Sequence, residues 1–326
     1  MKNLRQIEFG DILSSALDMN ASDIHIMGNG EVFFRVSTQI TPSDIKLENN
    51  ELLLEEFLTP IEIESIKTGE EKDMSVCYEG KRLRVNFYLA NGLPSMSFRV
   101  LCEKIPDIDA LLLPPILKSI FSKTSGLVLV SGSTGSGKST TIASALEYVN
   151  EHFARHIICI EDPIEYIHSN KKSFFSHREI KKDTQSFASA IKSALRQDPD
   201  VIFIGELRDR ESIKTALLAS QLGHLVVATT HSSDSTNTLS RIINNFEDSR
   251  SEIALELATS LEAIISQELI KLENGKLQAI CEILIATPAI KTLIRDQKFH
   301  QIPSQIAMGR EFGMINFEQS KKNLGL

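Results

Sequence analysis

Short apolar runs alternate with stretches of helical periodicity over the last two-thirds of the chain. Runs of four consecutive apolar residues are typical of strands buried on both faces. Between them, apolar residues recur every three or four positions, which predicts helices. Strands that alternate with helices predict an α/β fold, a parallel sheet with helices on both faces. The runs are residues 127–130, 157–160, 201–204 and 225–228, and the helical segments include 187–195 and 213–220.

The first hundred residues show a different pattern, which predicts a small α+β unit. Helical stripes run through 4–19 and 49–67, and we expect the second to break at Pro60. Residues 81–89 alternate strictly between apolar and polar side chains, as a half-buried strand does. Val32 to Val36 predicts another strand, and the Asn91-Gly92 turn returns the chain into a partner strand over 94–101.

Prolines mark the boundary between these two patterns. The length of 326 residues is typical of two domains, and the stretch 105–116 is punctuated by prolines. We therefore predict an N-terminal domain over 1–104, a linker over 105–116 and a second domain over 117–326. Within the second domain, Asn274-Gly275 predicts a hairpin, and the chain from Pro288 onward reads as helical.

Composition narrows the classes of protein that fit. The net charge of −8 and the absence of Trp argue against a nucleic-acid-coating protein, which needs a basic face and stacking side chains. The four cysteines form no C-x-x-C pair, which argues against a zinc ribbon and a disulfide framework. Neither a spanning apolar run nor an apolar N-terminal segment is found, so we expect a cytoplasmic protein.

The strongest chemical signal is a phosphate-binding motif, G-x-x-x-x-G-K-S, between a predicted strand and a predicted helix. Glycines allow main-chain N–H groups to surround a phosphate, and the helix N-terminus adds partial positive charge. We expect Lys138 to reach the β- and γ-phosphates of ATP and the Ser139 hydroxyl to bind Mg²⁺. The predicted ATP-binding residues are Gly132, Ser133, Thr134, Gly135, Ser136, Gly137, Lys138, Ser139 and Thr140.

Acidic residues follow two of the other predicted strands. Glu161 ends the run at 157–160 and is a candidate Mg²⁺ ligand, through water, and catalytic residue. Glu206 follows the run at 201–204 and is placed to orient or deprotonate an attacking water. The alternative is that these glutamates only cap strand ends or pair with Arg208, itself a catalytic candidate.

Two histidines flank the strand predicted over 225–228. His231 follows it, at the edge where the phosphate loop lies, so a phosphate contact or a relay between subunits fits its position. His224 precedes the strand at its opposite end. It is included among the catalytic candidates, with a structural or interfacial role as the alternative.

Four ordered motifs together resemble the secretion-ATPase superfamily of type II secretion, type IV secretion and type IV pili. The similarity is greatest to the branch of PilT-type pilus-retraction ATPases and covers nearly the whole chain. The four motifs are SGSTGSGKSTT, IEDPIEYIH, ALRQDPDVIFIGELRD and GHLVVATTHSS; segments around Asp23, Arg84 and residues 289–296 are also similar.

This resemblance implies a PAS-like N-terminal domain and a RecA-like ATPase domain that assemble as a homo-hexamer, with ATP and Mg²⁺ bound between the two domains. It implies that Arg84 and Arg99 contact the phosphates. It also implies a motor that powers pilus retraction at the cytoplasmic side of the inner membrane, held there by protein partners. The implied partners are a pilus platform protein in that membrane and, as a further candidate, an assembly ATPase.

Other functions remain open at this point. A type IV secretion ATPase of the DotB kind has similar length, and a pilus-assembly ATPase shares the core but generally carries a four-cysteine insertion that this chain lacks. A RecA-like nucleic-acid motor would share the phosphate loop, yet the acidic balance argues against nucleic acid as a partner. A small-molecule kinase would need an acceptor pocket and a lid that the sequence does not identify.

Overall fold

The computed structural model describes residues 8–37, 39–47, 50–101, 104–273 and 275–326. The chain divides into two compact units, residues 1–103 and 104–326, each of which is described by itself. Leu4 and Ile7 of the first predicted helix, Cys102, and Asn274 of the predicted hairpin lie outside the described residues.

The first unit is a six-stranded antiparallel sheet with three helices. Its strand order is β3-β2-β1-β6-β5-β4, and each neighbouring pair is antiparallel. The helices are α1 (Phe9–Asp18), α2 (Glu51–Phe57) and α3 (Pro60–Lys67). The strands are β1 (Ala21–Ile26), β2 (Glu31–Val36), β3 (Gln39–Lys46), β4 (Lys72–Tyr78), β5 (Lys81–Ala90) and β6 (Leu93–Val100).

Local sequence accounts for the main features of this unit. The predicted break at Pro60 is confirmed, since α2 ends at Phe57 and Pro60 occupies the first turn of α3. The Glu62 carboxylate accepts a hydrogen bond from the Thr59 N–H at 2.8 Å, which caps the new helix. The alternating residues of β5 put Phe87 into a core where it contacts Phe98, while the polar side chains lie on the other face.

The second unit is built on a seven-stranded sheet in the order β13-β12-β7-β11-β10-β8-β9. All neighbouring pairs are parallel except β12 and β13. The strands are β7 (Gly126–Ser131), β8 (His156–Glu161), β9 (Phe174–Glu179), β10 (Val201–Ile204), β11 (Leu225–Thr230), β12 (Leu261–Lys271) and β13 (Leu277–Ile285). The helices are α4 (Ile116–Phe121), α5 (Lys138–His152), α6 (Phe187–Ala194), α7 (Arg210–Gln221), α8 (Ser235–Asn244), α9 (Arg250–Ser260), α10 (Pro288–Arg295), α11 (Ile302–Met308) and α12 (Phe317–Asn323).

Helices cover both faces of this sheet, as the sequence pattern predicts. Side chains of α4 and α5 pack on one face, and those of α6 to α11 pack on the other. Ile108 and Leu113, from the stretch predicted as a linker, are buried in the first of these two cores. Among the described residues, none of the helices combines the length and the apolar content needed to cross a bilayer.

Several strands are not predicted by the apolar pattern. β1, β3, β4 and β9 are absent from the sequence-based interpretation, and all except β1 lie at an edge of their sheet. Edge strands are partly exposed and carry mixed side chains, so they have no continuous apolar run. The four buried strands of the second unit, β7, β8, β10 and β11, are all confirmed at the predicted runs.

Candidate functional site

The strand order of the second unit brings the predicted site residues to one edge of the sheet. β7, β11, β10 and β8 are consecutive neighbours and parallel. Their carboxyl ends lead into the phosphate loop, His231 and Glu206, while Glu161 is the last residue of β8. In open α/β sheets, ligands bind at this edge. The register therefore gathers residues that lie as much as 99 positions apart in sequence, from Gly132 to His231.

Lys138 opens α5 and folds back over the phosphate loop. Its Nζ donates hydrogen bonds to the main-chain oxygens of Gly132 and Ser133, both at 2.8 Å. Burial lowers the pKa of the Lys138 ammonium, and Glu165 and Glu206 act in the opposite direction. The ammonium is thus held inside the loop, with acidic groups nearby, at the position where a polyphosphate would bind.

The remaining loop residues offer hydroxyl groups to a ligand. Ser136 is buried, and its hydroxyl makes no hydrogen bond within the described residues. Ser139 and Glu161 line the same small cavity, so a hydroxyl and a carboxylate could reach one cation there. Oxygen ligands of this kind suit Mg²⁺. Thr140 has its hydroxyl 2.9 Å from the Tyr166 hydroxyl, which ties the start of α5 to the segment after β8.

Glu206 lies between a guanidinium and an imidazole. Its Oε2 accepts a hydrogen bond from Arg208 Nε at 2.5 Å, and its Oε1 lies 3.1 Å from His231 Nε2. The pairing with Arg208 that the sequence left as an alternative is therefore present. Each carboxylate oxygen keeps a further lone pair, so this pairing leaves Glu206 able to accept a hydrogen bond from water.

Gly205 explains why the acid after β10 is displaced by one residue from the strand end. Its N–H donates to the Ile160 oxygen at 2.7 Å, and a Cβ at this position would lie 3.2 Å from the Glu161 Cα. A side chain at this position would therefore require the backbone at the end of β8 to shift by a few tenths of an ångström. The close approach places Glu206 and Glu161 on neighbouring strands at the same edge.

Glu161 also belongs to a cluster of possible metal ligands. One ligand atom from each of Cys159, Glu161 and His177 lies within 4.8 Å of the others. Burial raises the pKa of the Cys159 thiol well above its ordinary value, with Glu161 adding to the effect. A protonated thiol is a poor ligand for Mg²⁺, which prefers oxygen.

Within this unit, His224 lies at the opposite end of β11 from the other candidate residues. It precedes β11, whereas His231 follows it, so the strand of six residues separates them by about 20 Å. Its Nδ1 lies 2.7 Å from the Pro199 oxygen, at the end of the sheet where the strands begin. This contact is the structural role that was the alternative for His224.

Arg84 and Arg99 lie on the polar face of the first unit's sheet. They are directly opposite each other on β5 and β6, and Arg99 is in turn opposite Asp23 on β1. Arg99 Nε donates to Asp23 Oδ1 at 2.8 Å, and Arg84 donates to the Asp73 carboxylate at 3.1 Å. Like charges directly opposite each other are destabilising. Asp73 pairs with Arg84, and Asp23 pairs with both Arg99 and Arg35, which offsets this repulsion.

One residue that contacts the phosphate loop is not among the residues predicted from the sequence. Gln267, on β12, is almost fully buried, and its amide contacts both Ser136 of the phosphate loop and Thr141 of α5. The signal that could have identified it is the polar pair Ser266-Gln267 directly after the apolar run 263–265. Without the sheet order, that signal does not say which part of the site the side chain reaches.

A parallel sheet with this loop, and with acids after two neighbouring strands, defines a P-loop nucleoside triphosphatase. The chain belongs to a narrower group within that class. The family described as type II/IV secretion system protein matches residues 4–312, and the chain is a member of it.

Individual relatives cover nearly the whole chain. It is 36% identical over 323 residues to the type IV pilus retraction ATPase PilT of Pseudomonas aeruginosa, spanning 98% of this chain and 94% of that protein. It is also 36% identical to the uncharacterized protein YggR of Escherichia coli, spanning 95% and 96% of the two chains. A crystal structure of the pilus retraction motor PilT with bound ADP superimposes with a TM-score of 0.85, at 35% identity and 97% coverage of each chain.

The packing around Gly132 leaves no space for a side chain at the start of the phosphate loop. A Cβ in the Gly132→Ala variant would lie 2.4 Å from the Gln267 main-chain oxygen, which cannot yield without moving β12. We expect the affinity for ADP, measured by fluorescence titration, to fall by about tenfold or more. Gly223→Ala is the control, because it imposes a comparable left-handed backbone strain with no atom within 4 Å. Equal ADP affinities in the two variants would contradict this prediction.

Proposed function

We propose that this protein is a motor ATPase that hydrolyses ATP, with Mg²⁺, to power the retraction of type IV pili. The observation that carries the proposal is the buried Lys138 inside a P-loop, with Glu206 and Glu161 at the same sheet edge. The similarity to the retraction ATPase PilT, 36% identity over 98% of this chain, supports retraction as the direction of work.

Within this proposal, the loop main-chain N–H groups and Lys138 bind the β- and γ-phosphates. Ser139 and Glu161, which line one cavity, would hold Mg²⁺, and the cation would neutralise phosphate charge. Glu206 orients or deprotonates the attacking water. His231 and Arg208, which flank the Glu206 carboxylate, set its position and contact the leaving phosphate.

In this proposal the second unit binds the nucleotide, and the first unit supplies arginines to the phosphates. The first is a PAS-like domain, residues 1–104, and the second a RecA-like ATPase domain, residues 117–326. Arg84 and Arg99 act as arginine fingers that contact the phosphates, as the family resemblance implies. Each guanidinium exchanges its carboxylate for the nucleotide's negative charge, which requires the pairs with Asp73 and Asp23 to be weak enough to open.

The proposed assembly is a homo-hexamer in which hydrolysis rotates one domain against the other. It works at the cytoplasmic face of the inner membrane through protein contacts. Its partners are the pilus platform protein in that membrane and an assembly ATPase that drives the opposite direction. Nucleic acid is not among the expected partners.

Substitution of the proposed base separates binding from turnover. Glu206→Gln keeps the shape of the side chain and removes the carboxylate. We expect nucleotide affinity to change little while kcat falls by about 10²–10⁴-fold, the usual contribution of a general base. Lys138→Ala should lose both binding and turnover. Glu211→Gln, an exposed acid on α7, is the matched control and should retain activity. Turnover of Glu206→Gln near that of the wild type would eliminate Glu206 as the base.

Removal of the two arginines tests the contribution of the first unit. We expect Arg84→Ala and Arg99→Ala to lower kcat more than nucleotide affinity, because an arginine finger acts on transition-state charge and contributes about 10³–10⁵-fold. Steady-state ATPase assays with fluorescence-based affinity measurements check this. Lys67→Ala, which removes an exposed cation of the same unit that is paired to Glu51, should leave both constants unchanged. Loss of affinity alone would contradict the finger role.

Deletion of the gene tests the direction of the motor. A cell without a retraction ATPase should carry more surface pili and lose twitching motility, because assembled pili are no longer withdrawn. Surface piliation is scored by electron microscopy and twitching on agar, with a plasmid-borne wild-type copy and a Lys138→Ala copy as the matched pair. Absence of pili would indicate an assembly ATPase, and a secretion defect with normal pili would indicate a type IV secretion ATPase.

A further inference from the structure

β12 continues past the point where β7 ends, and this excess length brings a side chain to the phosphate loop. The two strands are parallel, and Ser266 is opposite Ser131, the last residue of β7. The two hydroxyl oxygens are 2.8 Å apart and buried. The next residue of β12, Gln267, therefore lies level with Gly132, where the phosphate loop leaves the sheet.

The Gln267 side chain is fixed by two hydrogen bonds of known direction. Its Nε2 donates to the Ser136 main-chain oxygen at 2.6 Å, and its Oε1 accepts from the Thr141 hydroxyl at 2.8 Å. Because a main-chain oxygen can only accept, the amide nitrogen must face Ser136 and the amide oxygen must face Thr141. The residue is 1% exposed, so water does not compete for these contacts.

This contact determines which way one peptide unit of the loop faces. In a planar trans peptide the C=O and the following N–H point in opposite directions. When Gln267 holds the Ser136 oxygen toward β12, the Gly137 N–H must point away from β12. Within the described residues, that N–H makes no hydrogen bond. It is therefore a main-chain donor of the phosphate loop that is open to a ligand.

We propose that Gln267 is a positioning residue for the phosphate site: it locks the Ser136–Gly137 peptide so that the Gly137 N–H is presented to the nucleotide. The proposal rests on nucleotide binding by this loop, as argued above, and adds the device that preorganises it. Thr141 acts through Gln267, because its hydroxyl orients the amide and makes no direct contact with the Ser136 oxygen in this arrangement.

The glycines of the loop fit the same account. A Cβ on Gly137 would lie 2.8 Å from Gln267 Nε2, and Gly137 has a φ of +85°. The space that an ordinary side chain would need is occupied by the positioning amide. Gly137 is thus required both by its backbone conformation and by the presence of Gln267.

A double-mutant cycle tests the proposal in the full-length protein. Gln267→Met keeps a side chain of similar length and removes both hydrogen bonds, and Thr141→Val removes only the hydroxyl. We expect the Kd for a fluorescent ADP analogue, measured without Mg²⁺, to rise about five- to tenfold in Gln267→Met, consistent with losing one hydrogen bond that preorganises the loop. Thr141→Val should raise it by a smaller factor. The double variant should match Gln267→Met, because Thr141 acts only through the amide.

Two controls separate positioning from general stability. Thr141→Ser restores the hydroxyl and should return the Kd to within about twofold of the wild type. Gln278→Met makes the same change on β13, where the amide donates to the Leu111 oxygen, and should leave the Kd unchanged. Thermal unfolding without nucleotide is recorded for every variant.

Specific outcomes would overturn the proposal. If Gln267→Met lowers the unfolding temperature but binds the ADP analogue as the wild type does, Gln267 is only a packing residue. If the effects of Thr141→Val and Gln267→Met multiply in the double variant, Thr141 does not act through the amide. Failure of the wild-type protein to bind the analogue would instead contradict the proposed ATPase function, so the two failures are distinguishable.

Discussion

Parallel pairing of the four buried strands β8, β10, β11 and β7 is the constraint on which the candidate site depends. Their side chains are apolar on both faces, so helices must cover each strand on both sides. Parallel neighbours also need a long crossover connection, because a short turn cannot join them. All four carboxyl ends therefore meet at one edge, and each connection starts there. The phosphate loop, Glu161, Glu206 and His231 are close because the backbone pairing allows no other arrangement of these ends.

The charged candidate groups of both units are paired with neighbouring polar or oppositely charged groups. The Lys138 ammonium is held by two loop oxygens, Glu206 pairs with Arg208, and Arg99 pairs with Asp23. These three charged groups are thus each held by a neighbour, whereas the Ser136 hydroxyl and the Gly137 N–H make no hydrogen bond within the described residues. Unpaired buried charge would be costly. In the proposed mechanism a polyphosphate would compete with the loop oxygens for Lys138 and with Asp23 for Arg99, so the free energy of binding is reduced by the cost of opening these two contacts.

The sequence predicts those elements best whose residues meet a single physical requirement, such as burial on both faces or a break in a helix. Unbroken apolar runs identified the four central strands, and Pro60 identified the break between α2 and α3. The edge strand β9 was missed because a partly exposed edge has mixed side chains. His224 and His231 both flank β11 in sequence, but only the fold shows that the length of this six-residue strand lies between them. The contact of Gln267 with the phosphate loop cannot be predicted from local sequence, because its partner Ser136 is 131 residues away along the chain.

The candidate chemistry of the site is readable from local sequence patterns, namely the P-loop spacing, the acids after two strands and the alternation of strands with helices. Which of these groups lie close together depends on the fold. The register of β12 against β7 places Gln267 level with the loop, and the close approach of β10 to β8 at Gly205 leaves little space for a side chain. Such contacts depend on which strands become neighbours, and neighbour choice is set by packing of the whole sheet, which no local pattern encodes.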